Sequence, residues 1–149
     1  MSEIYQTLHN ACVVQGARMF TVTVLDLAQD LARRTYSSHQ ADYPVSGTKP
    51  MTHDGWHDHC ITRQQIFVAN TTPEFAKYFF DHALISSLGL GSVINIPIVS
   101  KAEVVGTVNI LAEEHHFTAA RQQIYQDLAR TYHAELVRAM QPSRLENKA

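Results

Sequence analysis

Residues Ser86–Ala112, SSLGLGSVINIPIVSKAEVVGTVNILA, decide how the rest of the chain is read. A Gly-punctuated lead-in, Leu88-Gly89-Leu90-Gly91, runs into an apolar stretch from Val93 to Val99. A polar reversal at Ser100 to Glu103 then opens a second apolar stretch, Val104 to Leu111. Both stretches are rich in Val and Ile, whose branched side chains suit a pleated strand. They are apolar on both faces, which predicts a hairpin in the middle of a sheet with a layer on each side. Asn95, Thr107 and Asn109 interrupt this background. A buried amide or hydroxyl must find a partner in the protein or in a ligand. Asn95, with either Thr107 or Asn109, is therefore expected on the floor of a pocket, the choice depending on a hairpin register that the turn leaves open.

Outward from the hairpin, the flanking elements follow from periodicity. Residues 3–14 carry Ile4, Leu8 and Cys12 at spacing four, one stripe of a short helix, with Gly16 as its stop. Phe20, Val22 and Val24 alternate with Thr21 and Thr23, as in a half-buried strand. Leu27–Tyr36 reads either as a paired strand reversing near Asp30 or, from the propensity of LAQDLARR, as a helix. Ser37–Asp54 is punctuated by Pro44, Gly47 and Pro50 and predicts a long loop, of the kind that is usually functional when it lies in a compact domain. A short helix is expected at Trp56–Arg63 and a strand at Gln65–Ala69. A helix from Thr72, with Thr72 as N-cap and Pro73 at its first position, is expected to run to Leu88. Thr118 opens a closing helix whose Ile124, Leu128, Tyr132, Leu136 and Met140 recur every four residues, and Pro142 ends it before a frayed tail at 141–149.

The order Asp81-His82, Leu84-Ile85, Leu88-Gly89, SVINIPIV and VVGTVNIL resembles the GAF domain, a small regulatory ligand-binding fold. More narrowly it is similar to stand-alone bacterial GAF proteins that carry R-x-Y-S-S-H and YPV-x-G-x-KP elements, here Arg34, Tyr36, Ser37, Ser38 and His39, then Tyr43, Pro44, Val45, Gly47, Lys49 and Pro50. The resemblance favours the strand reading of Leu27–Tyr36. It implies a PAS-related, GAF-like α/β (α+β) fold in a single domain spanning 1–149, with its core at about residues 3–140. A central antiparallel sheet of five or six strands would carry the N- and C-terminal helices on one face and a loop-covered pocket on the other. It also implies pairing of two copies through the terminal helices.

Composition narrows the function classes. The chain has 149 residues, 45% of them hydrophobic, and a formal net charge of −2 with no basic cluster, which argues against nucleic acid as a partner. Neither a basic-then-apolar leader nor a stretch long enough to span a membrane is visible, and a cytoplasmic location is expected. Cys12 and Cys60 are the only cysteines, too few for a disulfide framework.

Several constellations have the residue types that carry chemistry. MTHDGWHDHC gathers His53, His57, His59 and Cys60, which are transition-metal ligand types, but their spacing matches no zinc motif. No cofactor is expected, with a transition metal here as the alternative. Asp81 and His82 are candidates for the pocket. The loop and its flanks supply Arg34, Tyr36, Ser38, Tyr43, Lys49 and Trp56 as further ligand-binding candidates: aromatic walls, and cations able to hold a carboxylate or phosphate. Arg33 and Arg34, adjacent on a strand, face opposite ways, so at most one enters the cavity. The reading that unites these features is a dimeric sensor for a small organic ligand. The alternative is a small enzyme in the same pocket using His57, Cys60, Asp81 and His82. Free methionine sulfoxide reductases of this fold rely on a set of cysteines that Cys12 and Cys60 do not reproduce, since Cys12 falls in a helix stripe and Cys60 has no resolving partner.

Overall fold

In the computed structural model, which describes residues 3–141, the central hairpin lies where its two-sided apolarity places it. The sheet is six-stranded and antiparallel, in the order β3-β2-β1-β6-β5-β4. Strands β5 (Ser92–Ser100) and β6 (Glu103–Ala112) are both interior to it. They are joined by Lys101 and Ala102, both in the left-handed region (φ 52° and 67°), the conformation of a two-residue hairpin turn that matches strand twist. On the other side of β6 lie β1 (Met19–Asp26), β2 (Leu31–Ser37) and the two-residue edge strand β3 (Lys49–Pro50). The strand reading of the Leu27–Tyr36 segment holds from Leu31 onward, after a turn that places Asp30 at φ 58°. β4 (Phe67–Ala69) closes the opposite edge.

Alternation divides the residues between two layers. Phe20, Val22 and Val24 of β1, Ile94 and Ile96 of β5, and Val108 and Ile110 of β6 face α1 (Glu3–Val14), α5 (Ala119–Thr131) and α6 (His133–Met140) and form the main core with Leu8, Phe117, Tyr125, Leu136 and Met140. Gly16 ends α1 at φ 105°, as its position after the stripe predicts. The odd-numbered residues of β1 and their neighbours face the other way, toward α2 (Gly55–His57), the π-helical turn Asp58–Thr62 that continues it, α3 (Thr72–Ala76), α4 (His82–Ser87) and the loop at 38–54.

Two helices differ from their sequence reading. The stretch expected as one helix over Thr72–Leu88 is broken into α3 and α4, and the N-cap is Thr71, whose capping box is completed by Glu74. The break lets Phe75 and Ile85 both bury in the same small cluster while Tyr78, Phe79 and Asp81 turn toward the sheet. The closing helix is likewise interrupted, at Tyr132. A stripe at strict spacing four drifts about 40° per step around a helix, so a straight rod could not keep Ile124 and Met140 on one face. After the break Leu136 and Met140 are fully buried, whereas Ile124 is 38% exposed. Thr118 caps α5 as expected, accepting from the Arg121 backbone N–H. Pro142 and the rest of the tail lie outside the described residues.

Candidate functional site

Between the sheet and its second layer is a cavity of about 370 Å³. Strand register builds its floor. Arg34, Thr23 and Thr107 lie in one row across β2, β1 and β6; Thr21, Asn109 and Asn95 form the next across β1, β6 and β5. The second row is hydrogen-bonded end to end: Asn95 Nδ2 donates to Asn109 Oδ1 at 2.8 Å, and Asn109 Nδ2 donates to Thr21 Oγ1 and Thr23 Oγ1, each at 3.2 Å. The roof joins the same chain, because the Trp56 indole N–H donates to Asn95 Oδ1 at 3.0 Å. The choice that the sequence left open is thereby made: Asn109 is the direct partner of Asn95, and Thr107 lines the cavity in the adjacent row.

The walls come from the loop and the short helices. Tyr43 donates its hydroxyl to Asp81 Oδ2 at 2.5 Å, tying the loop to the α3–α4 segment. Burial, reinforced by that bond and by the Asp81 charge, raises the Tyr43 pKa well above the ordinary phenol range, so the phenol stays a donor. The Arg34 guanidinium carbon lies 5.2 Å from the Tyr43 ring centre, and Nη1 donates to the Pro44 carbonyl at 3.0 Å. Lys49 and Pro50, as strand β3, extend the sheet opposite Ala32 and Leu31, at the other end of β2 from its bulge. The YPV-x-G-x-KP element is thus a structural edge and latch of the cavity. Met51, Trp56 and Phe79 supply apolar wall.

Of the residues expected at the site from sequence, Arg34, Tyr43, Lys49, Trp56, Asp81, Asn95, Thr107 and Asn109 line the cavity. Tyr36, Ser38 and His82 do not. A bulge in β2 sets Val22 opposite Tyr36 but Thr23 opposite Arg34, so Thr35 is extra and the alternation inverts there. Tyr36 therefore turns to the helix layer, 2.7 Å from His9 Nδ1 and donating to Gln6 Oε1. Ser38 accepts from the Phe20 N–H and lies 2.7 Å from His39 Nδ1, closing the end of β2. His82 opens α4 outside the cavity.

The His/Cys segment disperses its donors. His53 Nε2 lies 2.6 Å from Asp30 Oδ1, His59 Nε2 lies 2.7 Å from the Ile66 carbonyl, and Cys60 is fully buried with Leu25, Ile61 and Val104. Burial pushes the Cys60 thiol up to about 12, which disfavours the reactive thiolate. Cys12 is pushed to about 12 for the same reason. Among the described residues no group of three or more His, Cys, Asp or Glu side chains is placed to hold a metal ion. The enzyme candidates are also separated, only His57 and Asp81 reaching the cavity. His57 has a buried Nε2 with no hydrogen-bond partner, and its pKa is lowered by burial and then by the charge of His53, whose ring centre is 4.2 Å away.

Sequence reasoning missed Thr21, Thr23 and Met19. Their alternation with Phe20 and Val22 was visible, but it does not say which face carries a cavity.

A profile described as "GAF domain" matches residues 1–134. The chain belongs to the GAF domain family. Solved GAF structures share its fold. The GAF domain of a two-component sensor histidine kinase from Bacillus halodurans superposes with a TM-score of 0.75 at 12% identity, covering 95% of this chain and 97% of that one. The GAF domain of a phosphoenolpyruvate-protein phosphotransferase from Coxiella burnetii gives 0.69 at 16% identity, covering 95% and 84%. A GAF domain/HD domain protein from Geobacter sulfurreducens gives 0.68 at 16%, covering 98% and 93%. Among curated proteins, none matches the chain. GAF domains commonly bind small molecules in signalling, and among the described residues no helix is long and apolar enough to cross a membrane.

Proposed function

We propose that this GAF domain is a small-molecule sensor whose ligand occupies the cavity on the face of the sheet opposite the terminal helices, and that two copies pair through those helices. The observation that carries this reading is the hydrogen bond from the Trp56 indole to Asn95. It couples the cover of a partly open, largely apolar cavity to a polar floor, the combination of burial and fixed polar groups that a small-molecule site needs. A ligand seated on the floor would favour one arrangement of the 38–60 segment over another and so bias the rest of the domain by population shift. The helix layer offers an outer apolar surface for pairing, with Val13 50% and Val14 80% exposed at the end of α1 and Ile124 exposed on α5.

Native mass spectrometry of the purified protein, followed by a metabolite thermal-shift screen, tests the ligand reading. A co-purifying organic mass, or a compound that raises the melting temperature of the wild type and not of Thr107→Trp, is the expected result. A cavity-filled variant that responds identically to every compound would count against it. Sedimentation tests the pairing. A monomer at micromolar concentration would end that part.

A further inference from the structure

Four ionic side chains line the cavity, and they are not equivalent. Asp54 caps α2 by accepting from the His57 backbone N–H at 2.9 Å, and Asp81 accepts from Tyr43, so both carboxylates have partners. Arg34 and Lys49 have none of opposite charge: among the described residues, neither is within ion-pair distance of a carboxylate. Arg34 commits one donor to Pro44 and its face to Tyr43, leaving the rest of a planar five-donor fork. His57 also lines the cavity, but its unpartnered Nε2 is buried away from the cavity space. The floor row next to Arg34 is hydroxylic. Thr23 accepts from Asn109, which leaves its own proton to donate, and among the described residues Thr107 has no side-chain partner. The remaining wall is mostly apolar, with Met19, Leu25, Met51, Phe79 and Leu111.

Building on the reading of this cavity as a small-molecule site, we propose that its ligand is an organic monocarboxylate with an apolar or aromatic body. Its carboxylate would meet Arg34 and Lys49 at the β2–β3 edge, and its body would lie against Trp56 and Phe79. A planar carboxylate matches the guanidinium fork.

Trp56 is the only tryptophan of the chain and hydrogen-bonds within the site, so its emission reports occupancy directly. The full chain is titrated with phenylacetate, 4-hydroxyphenylacetate and hexanoate, and with phenylacetamide and hexanamide as neutral counterparts. Saturable emission changes are expected with the acids, at about tenfold lower concentration than with the amides. Lys49→Gln, at an exposed position, and Arg34→Gln should each weaken the acids about tenfold and the amides by less, so that the preference for acid over amide shrinks. Amides that bind as tightly as the acids, or acids indifferent to both cation variants, overturn the carboxylate assignment and leave the small-molecule reading standing. Silence with every compound overturns the inference and counts against that reading as well.

Discussion

Asn95 is the junction between the sheet and the segment that covers it. Its amide accepts from Trp56 and donates to Asn109, so Asn95→Leu would strand an indole N–H and a carbonyl oxygen in a buried setting. A loss of about 1–3 kcal/mol is expected, read as a lower urea midpoint together with a shift of Trp56 emission. The cysteines give a second expectation at this scale. With both thiols buried and pushed up to about 12, almost no thiolate exists near pH 8. A thiol reagent should leave both unmodified in the native protein and label both in denaturant. Fast labelling of Cys60 in the native state would contradict its burial beneath Leu25 and Val104. The residue types of the site were legible in the sequence, since interrupting amides and loop aromatics stand out against an apolar background. The direction of Tyr36 was not, because one extra residue at Thr35 inverts the alternation and leaves no compositional mark.

Two element-scale features turn on a single methyl group. At Gly106 an added Cβ would lie 2.6 Å from the Thr23 carbonyl oxygen and 2.7 Å from Met140 Sδ, so the contact between β6 and α6 depends on the missing side chain. Gly106→Ala is expected to cost about 1–3 kcal/mol, seen as a lower denaturation midpoint. At the hairpin turn the reverse holds. Ala102 adopts φ 67°, where an L side chain costs about 1–2 kcal/mol, and Ala102→Gly should raise the midpoint by part of that amount. A turn variant that is neutral or destabilising would show that the left-handed geometry is not held in solution. Both elements that the sequence overextended, Thr72–Leu88 and the closing helix, were broken for tertiary reasons. Local propensity favours continuing a helix, whereas the breaks let Phe75 and Ile85, and Leu136 and Met140, bury.

For the whole molecule, the histidines set the response to acid. Burial is the first cause lowering the pKa of His9, His57 and His116, with the charges of His39, His53 and Arg121 respectively adding to it. His116 is 5% exposed, lies 2.7 Å from the Tyr125 hydroxyl, and feels Glu113 in the opposite sense. Each folded pKa lies below the unfolded value near 6.5, so the unfolded chain binds more protons in that range. The stability that these groups contribute is complete above about pH 6.5 and is lost as pH falls through and below it. Urea midpoints measured from pH 7.5 to 5 should decline. A flat profile would mean that these imidazoles are not buried neutral in the native state.

By itself the sequence determined most of the elements and their order: a central hairpin apolar on both faces, an alternating first strand, striped terminal helices, and a polar loop long enough to cover something. Those are consequences of local periodicity and composition, and they carried the family as well. Only the tertiary structure decided that Asn95 pairs with Asn109, that Tyr36 leaves the cavity while Thr21 and Thr23 enter it, that His53, His59 and Cys60 go to separate partners, and that Arg34 and Lys49 both line the cavity with no carboxylate at ion-pair distance among the described residues. Each of these depends on register, a bulge or a helix break. Such long-range pairings are settled by what packs on the opposite side of the sheet, which no local window of the chain contains.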